Sequence, residues 1–393
     1  MKLSFSYFFA LLIIISSCNN EPSISLENKL ITSIDSLKSD LKYDRRADVL
    51  EWKIDTVETQ VSLSIKSSNE DLALKVQQIA KKNNIPSSIV LLPEGKLRET
   101  PYGVVNQSVA NMRVRKSRAG GMATQVLMGM KLKMLEIDEG GQWHKVKTPQ
   151  NYIAWIPIQS FEYLTVEESI KYDNAEKVMV IVPNTYAYEA KNDEKTISDL
   201  VYGNVVELVE LGKRWSEVKL PGNRTAFIKS KEIQELSQWQ KEADFNKEDL
   251  VSYAYTYNGQ PYLWGGNSYK GIDCSGFSGA IYYKMGLLLP RDSDQQRTQG
   301  DEVSFDVKSP DGFADLEEGD LLFFGTQTKI THVAIWIGNG EYIHSSGKVH
   351  VTSVDPKKDN YEQHLMDILV DVRRIQGSKN LNKSLDLRSN SIW

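Results

Sequence analysis

The spacing of apolar residues changes character along the chain and divides it into segments. Phe5 to Ile15 is an apolar run interrupted only by Ser6, and Ser16-Ser17-Cys18 closes it. Such a run is too short for a stable bilayer span and predicts a signal-peptide core behind Met1-Lys2. Residues 19–97 are charged, with scattered leucines; after Asn69-Glu70-Asp71, Leu72, Val76, Ile79 and Ala80 recur at helical spacing. Pro86 and Pro93-Glu94-Gly95 punctuate the end of this segment, which predicts a small helical or mixed unit. Alternating runs at Leu132–Leu135 and Val205–Val209 predict short strands. Asn246 with Asp249 three residues on predicts a capped helix start, and Asn258-Gly259 its stop. Phe277, Ala280, Ile281 and Met285 then fall at helical intervals before Gly286.

The strand-rich middle is repetitive. Trp143-His144-Lys145-Val146 reappears as Trp215-Ser216-Glu217-Val218, and Ala154-Trp155-Ile156 as Ala226-Phe227-Ile228, both displaced by 72 residues. Short strands, turns and a buried tryptophan at this spacing predict two small β-barrels. They resemble bacterial SH3-like domains, either binding cell wall, walling an active site or serving as packing modules without a ligand.

Composition narrows the class. The net charge of the 393 residues is a mild −5, and no basic tract suggests a nucleic-acid partner. There are two cysteines, Cys18 in the leader and Cys274, so no disulfide framework forms within one chain. Small residues before a lone cysteine resemble the lipobox of bacterial lipoproteins. That resemblance implies cleavage before Cys18, its acylation, and a chain secreted across the inner membrane as a periplasmic or outer-membrane lipoprotein. An ordinary secretory signal is the alternative.

Cys274 is therefore a lone thiol in a secreted chain, either a buried core residue or a reactive one. Asp273 is a good N-cap candidate and puts Cys274 in the first helical turn, where unpaired N–H groups and the helix dipole favour a thiolate. A thiolate nucleophile needs a base, and the base an orienting partner. Among five histidines, His144 reads as a surface residue beside Trp143, and nothing singles out His350 or His364. His332 and His344 bracket two strands around Gly338-Asn339-Gly340. A three-residue loop would set Ala334 opposite His344, with both histidines on one face; a two-residue loop would separate them.

Taken together, Asp273-Cys-Ser-Gly-Phe277, Gly319-Asp-Leu-Leu-Phe-Phe324, His332-Val-Ala-Ile-Trp-Ile-Gly338 and Ile343-His344 resemble the NlpC/p60 family of cysteine peptidases over residues 246–376. The resemblance implies an α+β, papain-like fold in which a helix carrying Cys274 packs on an antiparallel sheet carrying both histidines. It implies Cys274 as nucleophile, His332 as general base, His344 as its orienting residue, and Tyr262 near the oxyanion. The substrate it implies is the γ-D-glutamyl–diamino acid amide of peptidoglycan stem peptides. Arg291-Asp292-Ser293 behind two SH3-like domains resembles the dipeptidyl-peptidase VI subgroup. There Asp292 would pair with the free amine of an N-terminal L-alanine, as in L-Ala-γ-D-Glu-diaminopimelate. Ser275 and Ser293, with Asp273 and Arg291 beside them, would complete the substrate site. No metal or other cofactor is expected.

The implied organisation is a lipoprotein signal at 1–17, an N-terminal region at 18–97, SH3-like domains at 98–166 and 176–236, the peptidase at 246–376 and a polar tail at 377–393. Tyr152, Trp155 and Tyr163 are the first barrel's candidates for lining the pocket. The rival readings are a cysteine amidase or endopeptidase acting on intact murein, a zinc hydrolase using Cys274, His332 and His344, and a non-catalytic wall-binding lipoprotein.

Overall fold

The computed structural model describes residues 21–57, 60–309 and 311–393, so the leader and Cys18 lie outside the described residues. The chain divides into two compact units, the first ending at Leu91 and the second made of residues 45–47 and 92–393.

The first unit is mixed. Strands Leu50–Val57 and Gln60–Ser67 form an antiparallel pair, and Ser87–Leu91 joins the second strand in parallel. A parallel return needs a crossover, here the helix Glu70–Lys82. Asn69 caps that helix by accepting the Leu72 N–H, and Leu72, Val76 and Ala80 are buried with Leu63 and Ile65 of the sheet.

In the second unit, two seven-stranded sheets follow each other, over Tyr102–Leu164 and Lys177–Glu235. The 72-residue repeat survives as register: Val146 pairs with Ala154 in one barrel, and Val218 with Ala226 in the other. His144 departs from the surface position expected of it. Strand alternation turns it inward with Val146, leaving Trp143 half-buried, and it is fully buried against Phe161 and Tyr163. Its Nε2 bonds to the Tyr163 hydroxyl, its Nδ1 has no partner among the described residues, and burial pushes its pKa down to about 4.

The remainder of this unit is α+β. Helix α1 (Lys247–Tyr255) starts at Asn246, whose side chain accepts the Asp249 N–H at 3.0 Å. Helix α2 (Cys274–Lys284) and the short α3 (Ser293–Gln296) precede a six-stranded antiparallel sheet. Its strands are β1 (Asp301–Glu302), β2 (Leu321–Gly325), β3 (Ile330–Gly338), β4 (Glu341–Ser346), β5 (Lys348–Ser353) and β6 (Leu369–Arg374), in spatial order β1-β6-β2-β3-β4-β5. Alternation in β2 and β3 makes the sheet two-faced. Leu321, Phe323, Val333 and Ile335 pack under Phe277 and Ile281 of α2, while Leu322, Phe324, Ala334 and Trp336 pack on the opposite side. Each fully buried phenylalanine contributes roughly 2–3 kcal/mol, which holds α2 against β3.

The tail is polar by composition but not in its packing. Leu385, Leu387 and Trp393 are buried, and the Trp393 ring meets Trp239 edge-on with centroids 6.1 Å apart. Among the described residues, no helix is long and apolar enough to cross a membrane.

Candidate active site

The position of Cys274 follows from the residues around it. Asp273 has extended backbone and caps α2, its Oδ1 accepting the Gly276 N–H at 2.7 Å and its Oδ2 the Gly265 N–H at 2.9 Å. Gly276 is required for close approach, because a Cβ there would lie 2.1 Å from the Gly266 carbonyl oxygen. Cys274 is thus the first helical residue, with 8% of its surface exposed. Backbone N–H groups of Val333 and Ser275 face its sulfur, which sets the thiol beside the strand residue next to His332.

A thiolate was the expectation from helix-start placement, and the balance differs. Burial pushes the Cys274 thiol up to about 12, with the nearby Asp273 carboxylate adding to it; the two N–H groups and Arg291 oppose without reversing it. Burial likewise pushes His332 down to about 4. At neutral pH both groups therefore rest uncharged, one as a thiol and the other as an imidazole.

The β3–β4 hairpin brings the two histidines together. His332 Nε2 lies 2.7 Å from His344 Nδ1, and His344 Nε2 lies 2.9 Å from Thr352 Oγ1. The loop-length question has a specific answer. Asn339 and Gly340, with φ of 54° and 72°, make a two-residue turn that alone would put the histidines on opposite faces. A bulge between Trp336 and Gly338 restores the pairing Ile335–Ile343, so one histidine stays diagonal to the other on the same face. His344 is fully buried, and its pKa is pushed down to about 2 by burial and the neighbouring histidines.

Arg291 does not reach a substrate with its own donors. It is 1% exposed, and all five N–H groups are placed: Nε on Thr124 Oγ1, Nη1 on Asp273 Oδ1 and Ser275 Oγ, Nη2 on Asp273 Oδ2 and the Gly266 carbonyl. It holds Asp273 and the Ser275 hydroxyl in place. Both carboxylate oxygens of Asp273 are similarly occupied, so its part is to shape the loop and the helix start.

Asp292 and Ser293 sit at the start of α3, where the Gln295 side chain accepts the Asp292 N–H at 3.2 Å. The Tyr152 hydroxyl donates to Asp292 Oδ2 at 3.2 Å, and Arg46 Nη1 donates to the same oxygen at 2.8 Å. Arg46 also takes both oxygens of Asp294, at 2.9 and 2.7 Å. Burial raises the Asp292 pKa, with Arg291 and Arg46 opposing. Two carboxylates around one guanidinium leave one negative charge at this end of the site.

Of the barrel aromatics, Tyr152 reaches this site. Tyr163 turns into the barrel with His144 and Phe161, and the Trp155 ring lies under Lys145 Nζ at 5.3 Å. Tyr262 is half-buried, and its pKa is raised by burial, with the nearby Cys274 and the Asp273 carboxylate adding to it. Sequence reasoning passed over Arg46, Thr124 and Trp264. Trp264 follows Tyr262 by two residues and is 72% exposed, an unusual position for an indole. Among the described residues the group able to hold a metal is His344, His350 and Glu362, rather than one containing Cys274.

A thiol at the start of a helix packed on the strand that carries His332, itself bonded to His344, is the arrangement of a cysteine peptidase of papain-like architecture. The chain belongs to the NlpC/P60 family. That family's model matches residues 259–370, and the model of the bacterial dipeptidyl-peptidase SH3 domain matches residues 112–161. A γ-D-glutamyl-L-lysine dipeptidyl-peptidase of Bacillus subtilis is 31% identical over 234 residues, covering 56% of this chain and 71% of the relative. One of the same name from Bacillus cereus is 29% identical over 240 residues, covering 58% and 68%. Dipeptidyl-peptidase 6 of Lysinibacillus sphaericus is 25% identical over 276 residues, covering 67% and 95%. In fold, the crystal structure of an NlpC/P60 family protein from Bacillus cereus superposes with a TM-score of 0.59 at 22% identity, covering 70% of this chain and 99% of that one.

Proposed function

We propose that this peptidase hydrolyses the γ-D-glutamyl–diamino acid amide of peptidoglycan stem peptides whose N-terminal L-alanine carries a free amine. The supporting observation is the carboxylate of Asp292, reached by the Tyr152 hydroxyl from the barrel side and carrying, with Asp294, a net negative charge. An ammonium fits that charge. An acylated nitrogen would forfeit the charge-assisted bond and leave Asp292 to Arg46, at a cost of about 1.5–3 kcal/mol.

In the reaction, the Cys274 proton passes to His332 as the C–S bond forms at the scissile carbonyl. Backbone N–H groups and the Tyr262 phenol stabilise the oxyanion. Collapse breaks the C–N bond while His332 returns the proton to the departing amine; water then cleaves the thioester by the reverse use of the same base. His344 accepts the outer N–H of the His332 imidazolium and so holds its orientation. Ser275 and Ser293 hydroxyls would hold the glutamate carboxylate. Acylation of Cys18 would anchor the mature chain at a membrane surface, as a lipoprotein secreted across the inner membrane.

The Arg46–Asp292 pair favours a second reading, in which Asp292 is already satisfied and the enzyme acts on intact murein. Incubation of L-Ala-γ-D-Glu-diaminopimelate and its N-acetyl form with the enzyme, read by mass spectrometry, separates the two. Release of L-Ala-γ-D-Glu from the free peptide alone is the expected result; equal rates on both would rule out amine recognition.

A further inference from the structure

Four of the chain's five histidines form a connected file leading outward from the nucleophile, and the reaction uses only the first two. His332 contacts His344 at 2.7 Å; the His344 and His350 ring centroids are 4.4 Å apart; His350 Nε2 lies 3.0 Å from Glu362 Oε1; and Glu362 Oε2 lies 3.6 Å from His364 Nε2. His344 and His350 are direct cross-strand partners on β4 and β5, so their side chains project from the same face. One donor atom from each of His344, His350 and Glu362 lies within 4.8 Å of the others. A tetrahedral zinc ion with ligand bonds of about 2.0–2.1 Å needs its donors about 3.3 Å apart, a difference that small side-chain rotations close.

We propose that His344, His350 and Glu362 bind a divalent transition-metal ion of the zinc type, and that the ion bound there switches the peptidase off. Two imidazoles and a carboxylate are donors that suit this class of metal, and the exposed His364 imidazole stands ready as a fourth. Because His344 Nδ1 is engaged with His332, the nitrogen it offers the metal is Nε2, which otherwise faces Thr352. A neutral imidazole coordinated through Nε2 carries its proton on Nδ1. His344 then donates to His332 Nε2 instead of accepting from it. His332 is forced to hold its own proton on Nδ1, the nitrogen left for the Cys274 proton. With that position filled, no base remains for the thiol. The inhibitory half of this inference rests on His332 acting as the base; the binding half does not.

The test therefore has two readouts. Zinc binding to Cys274→Ala protein is measured by competition with a chromophoric chelator, with and without His350→Ala or Glu362→Gln. Zinc inhibition of peptide hydrolysis is measured in the same two variants carrying the native thiol. The expected results are one bound equivalent in Cys274→Ala protein and an affinity at least about tenfold weaker when either ligand is replaced. Without zinc both variants hydrolyse peptide at the parent rate, and each needs at least about tenfold more zinc for half-inhibition. Unchanged binding in both variants overturns the site, and binding without inhibition overturns the switch. If no variant cleaves the peptide, the substrate assignment fails, while the titration on Cys274→Ala protein still decides the metal site.

Discussion

The Tyr152 hydroxyl and Asp292 Oδ2 are 3.2 Å apart although their residues belong to the first barrel and to the start of α3. The barrel thereby reaches the carboxylate proposed to bind the substrate amine, and the pair is a direct handle on that proposal. Asp292→Asn should lower kcat/KM for the free-amine peptide by roughly 10–100-fold, since a charge-assisted hydrogen bond is worth about 1.5–3 kcal/mol. The N-acetyl peptide should be unaffected. Tyr152→Phe removes one hydrogen bond to the ionised Asp292 carboxylate, so a loss of about tenfold is expected. Identical losses on both peptides would show that Asp292 serves the fold rather than the amine.

Under the proposed amine recognition, Arg46 would compete with the incoming ammonium for Asp292 Oδ2. Arg46→Ala should lower KM for the free-amine peptide by about twofold to fivefold, the scale of a partly exposed ion pair, and leave kcat unchanged. Arg46→Lys should stay near the parent value. A rise in KM on truncation would mean that the guanidinium holds Asp292 in position and does not compete for it.

These two contacts illustrate what the sequence could and could not reveal. Cys274, His332 and His344 were legible because local rules position them: an aspartate cap, a helix start, and strands around a glycine-rich turn. The hairpin register was not, because turn length and bulge act in opposite directions and only packing selects the bulge. Arg46 lies 246 residues from Asp292, and no local pattern marks it. The strands of the N-terminal unit escaped notice for a different reason. Leu50–Val57 and Gln60–Ser67 bury only part of one face, so polar residues dilute their alternation. His144 was misplaced because its partners, Phe161 and Tyr163, arrive from a distant strand.

Arg291 should be a stability residue first. Its guanidinium is fully enclosed, and its loss would leave the buried Asp273 carboxylate without a counter-charge. Arg291→Met is expected to destabilise the second unit by about 3–5 kcal/mol, visible as a lower denaturation midpoint. Asp273→Asn combined with Arg291→Met should recover part of that loss. Failure of the double variant to recover anything would mean that the hydrogen bonds to Thr124 and Gly266 outweigh the ion pair.

The rate profile follows from the neutral resting pair. As the proposed base, His332 would accept a proton only while unprotonated, and burial holds its pKa down to about 4. The acid limb of kcat/KM should therefore fall near 4 rather than near the ordinary imidazole value of about 6.5. A limb at 6 or above, with the chain still folded, would contradict burial as the dominant influence on this ring.

Acid should weaken the fold before it reaches that limb. His144 is fully buried with its pKa at about 4, against about 6.5 in the unfolded chain. As pH falls through 6.5 the unfolded chain takes up a proton that the native chain refuses, so the contribution present above 6.5 is lost progressively down to about 4 and then levels off. Its full size is roughly 3 kcal/mol, at 1.36 kcal/mol per pKa unit. His344, depressed further by burial and its histidine neighbours, should add to the same fall. Urea midpoints measured between pH 7 and 4 should decline steeply in the parent protein. In His144→Phe the slope should be shallower by about 1.4 kcal/mol per pH unit within this window, one proton's worth. Parallel slopes in the two proteins would place a titrating, solvated histidine at position 144 and reverse the inward orientation assigned to it.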